Sequence, residues 1–490
     1  MTVMRDSRPP PRARYQTAGL FSGAALAAVL FVLPAPDGLS TAGWRAAAVG
    51  LCMAIWWATE AIPVAATALL PIAVFPALGI ADIKAVTAPY ANPTIYLFLG
   101  GFMVALAMQR WNLHRRIALV VIDLFGGSGA SLVGGFMLAS ALISMWITNT
   151  STTMMLLPIS MSVVTVVQQN VRDSEDGTER FPIAMMLGVA YGATIGGMAT
   201  IVGTPPNALL VAFMQEELGK EIGFAQWMLV GVPLAAVLLP TCWWLLTHRL
   251  YPVRFSTGGR TREHLHELRQ ELGPMTSAEK RVAIVFALLV VAWVSRPLLT
   301  RVDVLGGLSD AGLAMLAGVA LFVVPSRTEK TSFLMSWTDT ADLPWGVLIL
   351  FGGGLTLAAA VSSTGLAEWL GQKLIGLGLT ELTLLVVVIA ALIIFLTELT
   401  SNLATTATFL PVVAAVASEA GLAPIALTAP VALAASCAFM LPVATPPNAV
   451  VYASGMIRIP DMVRAGFWMN VIGIVLVSIV AVFLAPLVLG

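Results

Sequence analysis

The sequence predicts an all-α polytopic membrane protein. It reads as two inverted repeats of five transmembrane helices plus one re-entrant hairpin each, preceded by one extra helix, giving eleven crossings and two hairpins in 490 residues. Three observations predict this. Hydrophobic residues make up 58% of the chain and charged residues 11%, whereas soluble domains carry about 25% charged residues. Apolar runs recur at the length of a bilayer crossing, about 20 residues. Polar landmarks of the first half return in the second half in the same order.

Residues 1–17 read as a cytoplasmic tail, with Arg5, Arg8, Arg12 and Arg14 among prolines. The apolar run that follows imitates a signal peptide. Further spans come at once and no small-x-small cleavage site stands out, so 18–42 is expected to hold an uncleaved first helix near 18–35. The first repeat, 43–249, contains spans near 43–59, 64–80, 95–112, 183–202 and 226–247, with a hairpin at 132–167. A hydrophilic linker, 250–280, carries His264, His266 and alternating charges (Arg262, Glu263, Glu267, Arg269, Glu271), the pattern of a solvated cytoplasmic segment with a short surface helix. The second repeat, 281–490, contains spans near 281–298, 309–325, 344–364, 427–444 and 465–489, with a hairpin at 380–417.

Orientation follows from lysine and arginine. With the tail inside and both hairpins re-entering without crossing, Arg45, Lys84, Lys220, Arg296, Arg301 and Lys373 face outward and every other basic residue faces inward. Were each hairpin to cross once, Arg172 and Arg180 would fall on the face opposite Arg115 and Arg116. The expected location is a cytoplasmic (inner) membrane, multi-pass, with the N-terminus cytoplasmic.

The repeat is carried by spaced landmarks. Gly100-Gly101 returns as Gly353-Gly354, Ser144 as Thr397, Thr148-Asn149-Thr150 as Ser401-Asn402-Leu403 and Pro158 as Pro411, all 253 positions apart. Gly203-Thr204-Pro205-Pro206-Asn207 returns as Ala444-Thr445-Pro446-Pro447-Asn448 at an offset of 241. The longer charged loop at 168–181 absorbs the difference. Five crossings per unit is an odd number, so the copies insert with opposite orientation, the architecture of secondary transporters, with substrate near the midplane at the repeat interface.

The landmarks suit ion chemistry. Sixteen apolar-rich positions at 132–147 make a helix of about 24 Å, short of a hydrocarbon core of about 30 Å. The Thr/Asn tip that follows can sit at membrane depth only if buried in protein or lining a wet cavity. Neither proline of Thr-Pro-Pro can donate an amide hydrogen bond, so 183–202 and 427–444 are expected to be broken helices. Unwound carbonyls and Ser/Thr/Asn oxygens are hard ligands for Na⁺, while helix N-termini favour an anion. No arginine, lysine or histidine falls in either tip or either broken segment. An anionic substrate there needs co-bound cations to offset its charge. Glu398 beside the second tip has two readings, as a charge or proton carrier and as a hydrogen-bonding anchor, of which the anchor is preferred. Glu60 reads as an interfacial cap.

Other function classes are excluded. The 26 basic and 26 acidic residues cancel, leaving no field for nucleic acid. Nothing reads GxxxxGK[ST], so ATP drive is not indicated. Cys52, Cys242 and Cys437 are widely spaced, and His114, His248, His264 and His266 lie at or beyond the ends of apolar runs. An intramembrane hydrolase would need a catalytic His-Glu-x-x-His, paired aspartates or a Ser–His dyad at membrane depth. The chain is expected not to be an enzyme.

The segment WWATEAIPVAATALLP (56–71), the TNT and SNL tips and the two TPPN segments resemble the divalent anion:sodium symporter family, which includes sodium-coupled dicarboxylate, citrate and sulfate carriers. The likeness runs from about residue 18 to the end. It implies a homodimer in membrane lipid that carries a small dianion by an elevator motion, with Na⁺ co-transported. By resemblance, a first sodium site would use Ser144, Thr148, Asn149 and Gly203, and a second Thr397, Ser401, Asn402 and Ala444. Asn149, Thr150, Thr204, Pro205, Ser401, Asn402, Leu403, Thr445 and Pro446 would face the substrate. The sequence departs from the family's Ser-Asn-Thr tip at Thr148, which keeps a hydroxyl, and at Leu403, which loses one. The function implied is sodium-coupled import of di- or tricarboxylates, C4-dicarboxylates such as succinate above all. A sodium-independent dicarboxylate exchanger or a sodium:sulfate symporter is the alternative.

Overall fold

A computed structural model describes residues 13–125, 127–170, 178–256, 258–328, 332–375 and 381–490. Most of the 1–17 tail, Arg172 and residue 380 of the second hairpin lie outside the described residues. The described chain is nearly all helix, with only isolated bridges at Ser128–Ser256 and Pro325–Phe333. Among the described residues, seven helices are long and apolar enough to cross a membrane: Arg14–Val32, Ile83–Arg110, Asn149–Gln169, Phe224–Leu250, Ser277–Leu299, Trp345–Ser363 and Ile459–Leu489. Shorter apolar helices lie between them, and the chain is a polytopic membrane protein.

The lipid-facing character is visible on single helices. Along Ser277–Leu299 the side chains of Ile284, Leu288, Val291 and Leu298 are exposed, a stripe at helical spacing that suits hydrocarbon rather than water. Phe181–Gly197, by contrast, is buried on all sides, as a helix apolar all round must be.

One expected span has a different form. Residues 64–80 are not a single helix but Val64–Thr67 and Leu70–Val74 followed by turns. Pro71 and Pro76 supply no amide hydrogen, and Gly79 takes a left-handed φ of 64°, so the helical ladder cannot run through. Two short helices escape any search for apolar runs: Leu113–Asp123 and Leu366–Ile375. Each follows the glycine-rich helix of its half, Pro93–Arg110 or Trp345–Ser363, and they start 253 positions apart. The linker helix is present as Gly258–Glu271.

The hairpin arms keep the same offset. The first hairpin has arms Gly129–Ser144 and Asn149–Asn170, the second Leu382–Thr397 and Asn402–Glu419. Pro158 and Pro411 sit inside the second arms. Each broken helix resumes after its Thr: Phe181–Gly197 continues as Pro205–Leu218, and Pro424–Ala435 as Pro446–Tyr452.

The glycine pairs allow backbone-to-backbone packing. A Cβ on Gly100 would strike the backbone of Ala314, and one on Gly353 the backbone of Ala68. Polar ties fix the frame at helix ends. Glu279, 3% exposed, pairs with Arg116 of Leu113–Asp123 and caps the amide of Thr276 at 3.3 Å. Glu60 ends Thr41–Thr59 in the left-handed conformation, φ 47°, as the C-cap of that helix. Asn92 Nδ2 donates to Glu216 Oε1 at 2.6 Å, joining the start of Pro93–Arg110 to the end of Pro205–Leu218.

Candidate cation and anion site

The first tip is a tight turn between arms. Thr148 Oγ1 accepts the amide of Ser151 at 3.3 Å and donates to Ser151 Oγ at 3.0 Å, a hydroxyl cap of the second arm. Asn149, first residue of that arm, reaches back across the turn. Its Oδ1 accepts from Ser144 Oγ at 2.5 Å and also faces two backbone carbonyls. Were the amide turned over, its nitrogen would donate to Ala193 O at 3.2 Å and Gly203 O at 3.3 Å. Ser144 Oγ, Ala193 O and Gly203 O thus converge on the Asn149 amide, four oxygens if Oδ1 faces them and three oxygens around an amide nitrogen if it is turned over. Such a set is satisfied in two ways, by turning the amide inward or by placing a cation among the oxygens.

The second tip repeats the arrangement. Thr397 Oγ1 lies 2.7 Å from Asn402 Oδ1 and 3.0 Å from Ala435 O, one proton for two acceptors. Ala193 and Ala435 both lie on the last turns of the helix before a break, one position out of register at the offset of 241.

The breaks are built by residue choice. Thr204 (φ −141°, ψ 137°) and Thr445 (φ −141°, ψ 148°) are both extended, as the residue before proline must be. Gly197 lets the chain fold onto the tip: a Cβ there would lie 2.5 Å from Asn149 Oδ1 and 3.1 Å from Gly203 O. The freed carbonyls are gathered by the asparagine of each TPPN. Asn207 Nδ2 donates to Met198 O at 3.1 Å and Thr200 O at 2.9 Å; Asn448 Nδ2 donates to Ala438 O at 3.3 Å and Leu441 O at 3.1 Å. These asparagines brace the breaks.

Glu398 settles as the anchor. Its Oε1 accepts from the amides of Phe439 at 2.8 Å and Met440 at 2.9 Å and from Asn470 Nδ2 at 2.8 Å; Oε2 accepts from Leu441 N at 3.1 Å. Its carboxylate, 3% exposed, is held by dipoles, with no ion pair among the described residues. Three consecutive amides on one carboxylate fix the course of the second break. In the first half Met145 holds this place, and its carbonyl accepts from Thr200 Oγ1 at 2.5 Å instead.

Of the expected residues, the structure brings Ser144, Asn149 and Gly203 together, and Thr397 with Asn402. The hydroxyl of Thr148 is on Ser151, outside the oxygen cluster. Ser401 precedes the second arm with no side-chain cap bond, and Ala444 is buried, its amide donating to Leu441 O at 3.2 Å. Thr150 and Pro205 are half-buried, Thr204, Thr445 and Leu403 buried, Pro446 exposed. The two halves interlock: Pro205–Leu218 packs against the arm Asn402–Glu419, and Pro446–Tyr452 against Asn149–Asn170. Helix N-termini therefore begin at both tips and at both Thr-Pro steps, each a source of partial positive charge. Sequence reasoning missed Ala193, Ala435 and Gly197. Backbone carbonyls leave no residue signature, but Gly197 adjoined a marked break.

A cleft of about 210 Å³ lies against the second hairpin, between Thr400, Thr405 and Thr408 and the helix residues Ala54, Ile55 and Ala58. Its lining is nearly all apolar, which suits a packing gap rather than an anion site.

Residues 15–489 match the family model described as the sodium:sulfate symporter transmembrane region. The chain is 40% identical over 479 residues to the sodium-dependent dicarboxylate transporter SdcS of Staphylococcus saprophyticus, covering 97% of this chain and 92% of that protein. It is 40% identical over 484 residues to SdcS of Staphylococcus aureus strain MW2, covering 97% and 93%. Its fold is similar to the crystal structure of the Alcanivorax borkumensis YdaH transporter, described as having an unusual topology, with a TM-score of 0.57 over 96% of this chain and 97% of that one at 13% identity. The chain belongs to the sodium:sulfate symporters, the divalent anion:sodium symporter family, and is a membrane transporter rather than an enzyme.

Proposed function

We propose that this chain is a sodium-coupled symporter importing small di- and tricarboxylates, C4-dicarboxylates such as succinate above all, across the cytoplasmic membrane. Na⁺ is the co-transported ion. The observation that carries the reading is the pair of polar clusters, Ser144–Asn149–Ala193–Gly203 and Thr397–Asn402–Ala435, in which Ser144 and Asn149 match Thr397 and Asn402 at the offset of 253. A hard cation with ligand oxygens at about 2.4 Å sets neighbouring ligands about 3.4 Å apart. The carbonyls of Ala193 and Gly203 stand at 3.2 and 3.3 Å from the Asn149 amide position. By the family resemblance Thr148, Ser401 and Ala444 would complete the two sets, Thr148 through its carbonyl since its hydroxyl is engaged with Ser151.

The anion would sit between the tips, against Asn149, Thr150, Ser401, Asn402 and the Thr204-Pro205 and Thr445-Pro446 steps. With no lysine, arginine or histidine there, its charge is offset by sodium and helix N-termini. Cations therefore bind before the substrate. The reading includes eleven crossings in two inverted repeats, two re-entrant hairpins, a cytoplasmic N-terminus, a homodimer and an elevator motion of the hairpin and broken-helix body against the remaining helices. The names of the SdcS relatives support sodium and dicarboxylate.

Sulfate on the same frame is a second reading. The family description names it, and Leu403 offers no hydroxyl to a second carboxylate. The test is uptake of labelled succinate by proteoliposomes with and without an inward Na⁺ gradient, with citrate and sulfate as competitors. Sodium-driven uptake blocked by succinate analogues supports the proposal. Uptake without sodium, stimulated by internal dicarboxylate, would replace it with exchange, and competition by sulfate alone would replace the substrate.

A further inference from the structure

The two breaks are not held alike. In the first, Thr200 and Asn207 of the same segment gather the loose backbone. The second break has a tie that comes from the other half of the molecule. Tyr191, on Phe181–Gly197, donates its hydroxyl to the carbonyl of Phe439 at 2.7 Å, and the two rings meet edge to face at 5.0 Å. Both residues are fully buried. The amide of the same Phe439 donates to Glu398 Oε1, and Glu398 is the next residue after Thr397, whose hydroxyl meets Asn402 and Ala435. Hydrogen bonds therefore run from the helix that presents the Ala193 carbonyl to the first cluster, through Tyr191 and Phe439, to Glu398, which the backbone joins directly to Thr397 of the second cluster. At the offset of the breaks the counterpart of Tyr191 is Ala432, and the counterpart of Glu398 at the tip offset is Met145. Neither side chain can make such a tie. The clamp is one-sided.

We propose that Tyr191 is a positioning residue of the second cation site, supplied by the first repeat, and that through Phe439 and Glu398 it makes occupancy of the two sodium sites interdependent. This rests on the sodium-coupled reading above. Physically, the second break has two things to hold in register: the Ala435 carbonyl at its start and the three amides that grip Glu398. The tyrosine hydroxyl fixes the Phe439–Met440 peptide, whose own N–H is the second of those amides. When a cation orders Ala193 and the end of Phe181–Gly197, Tyr191 is ordered with it, and part of the ordering needed at the second site is already done. The coupling is mutual, as any coupling of two binding equilibria must be.

Tyr191→Phe tests this, because it removes only the hydroxyl and keeps the ring against Phe439. One neutral buried hydrogen bond contributes enough to change an affinity by about fivefold. In proteoliposomes the variant is expected to need about fivefold more sodium for half-maximal succinate uptake, with a shallower sodium dependence, while the KM for succinate at saturating sodium stays within about twofold. The sodium concentration that raises the melting temperature of the detergent-solubilised protein, with no substrate present, is expected to move by the same factor. Glu398→Gln, which keeps the shape and removes the charge, is expected to move both readouts further in the same direction. A Tyr191→Phe protein with wild-type sodium curves in both assays overturns the clamp. So does one that loses succinate affinity at saturating sodium with its sodium dependence intact. Sodium-independent uptake by the wild type would instead sink the coupling itself, a result separable from a sodium-dependent wild type whose variant is unchanged.

Discussion

Adding one methyl group at Gly197 should plug the first cation site without unfolding the protein. A Cβ at this position would lie 2.5 Å from Asn149 Oδ1, 3.1 Å from Asn149 Nδ2 and 3.1 Å from Gly203 O. The nearest neighbour is the end of a side chain, so Asn149 can yield by turning away, while the Gly203 carbonyl must shift by a few tenths of an ångström. The helix itself gains slightly, since alanine is favoured over glycine by about 1 kcal/mol. Turning Asn149 out forfeits one oxygen that a cation would use, and a hydrogen bond or ligand to a charged group contributes about 1.5–3 kcal/mol. Gly197→Ala is therefore expected to raise the sodium concentration for half-maximal uptake by roughly tenfold to a hundredfold. The melting temperature in detergent without sodium should stay close to wild type. Gly101→Ala serves as the control: its Cβ would meet only the Val202 side chain, Cγ1 at 3.4 Å and Cβ at 3.8 Å, ordinary contacts, and sodium dependence should move by less than about twofold. The assay is initial-rate succinate uptake across a sodium series at saturating substrate. A Gly197→Ala protein that folds and keeps the wild-type sodium curve would refute the assignment of Asn149, Ala193 and Gly203 to a cation.

Further predictions concern the tips and the frame. Asn149→Ala and Asn402→Ala should each weaken sodium activation by about tenfold or more and reduce succinate affinity as well; unaltered sodium dependence in both folded variants would contradict the paired sites. Leu403→Thr restores a hydroxyl at the start of the second arm and should alter the ranking of succinate, citrate and sulfate as competitors, whereas an unchanged ranking would show that this position does not read the substrate. Arg116→Ala leaves the buried Glu279 carboxylate without its cation, a loss of about 3 kcal/mol. It should appear as a lower melting temperature with unchanged sodium affinity, and a variant as stable as wild type would show that the Thr276 cap alone satisfies Glu279.

The polar residues were legible because the sequence states them twice. Arms that begin at Gly129 and Leu382, and tips at Asn149 and Asn402, keep the offset of 253 in the structure. Proline after Thr204 and Thr445 dictates extended backbone, so both breaks could be placed. What stayed hidden has physical causes. The oxygens of Ala193 and Ala435 belong to the backbone, which any residue supplies equally. The Glu398 anchor depends on amides some forty positions away, a distance along the chain that no local pattern spans. Residues 64–80 are apolar throughout, so hydropathy alone joins pieces that Pro71 and Pro76 separate. Leu113–Asp123 mixes Arg115 and Arg116 with Leu119 and Ile122, and an amphipathic helix of that length falls below any search for crossings. Its twin at Leu366–Ile375 would have been found by carrying the 253 offset through every position rather than through the polar landmarks alone.

Two cation sites that together admit a dianion would show first in the sodium dependence of succinate uptake at fixed membrane potential. No uptake is expected without sodium, and a sigmoidal rise is expected with external sodium, its steepness exceeding that of a single site. Uptake that persists at zero sodium, or that follows a simple hyperbola in sodium, would contradict two such sites.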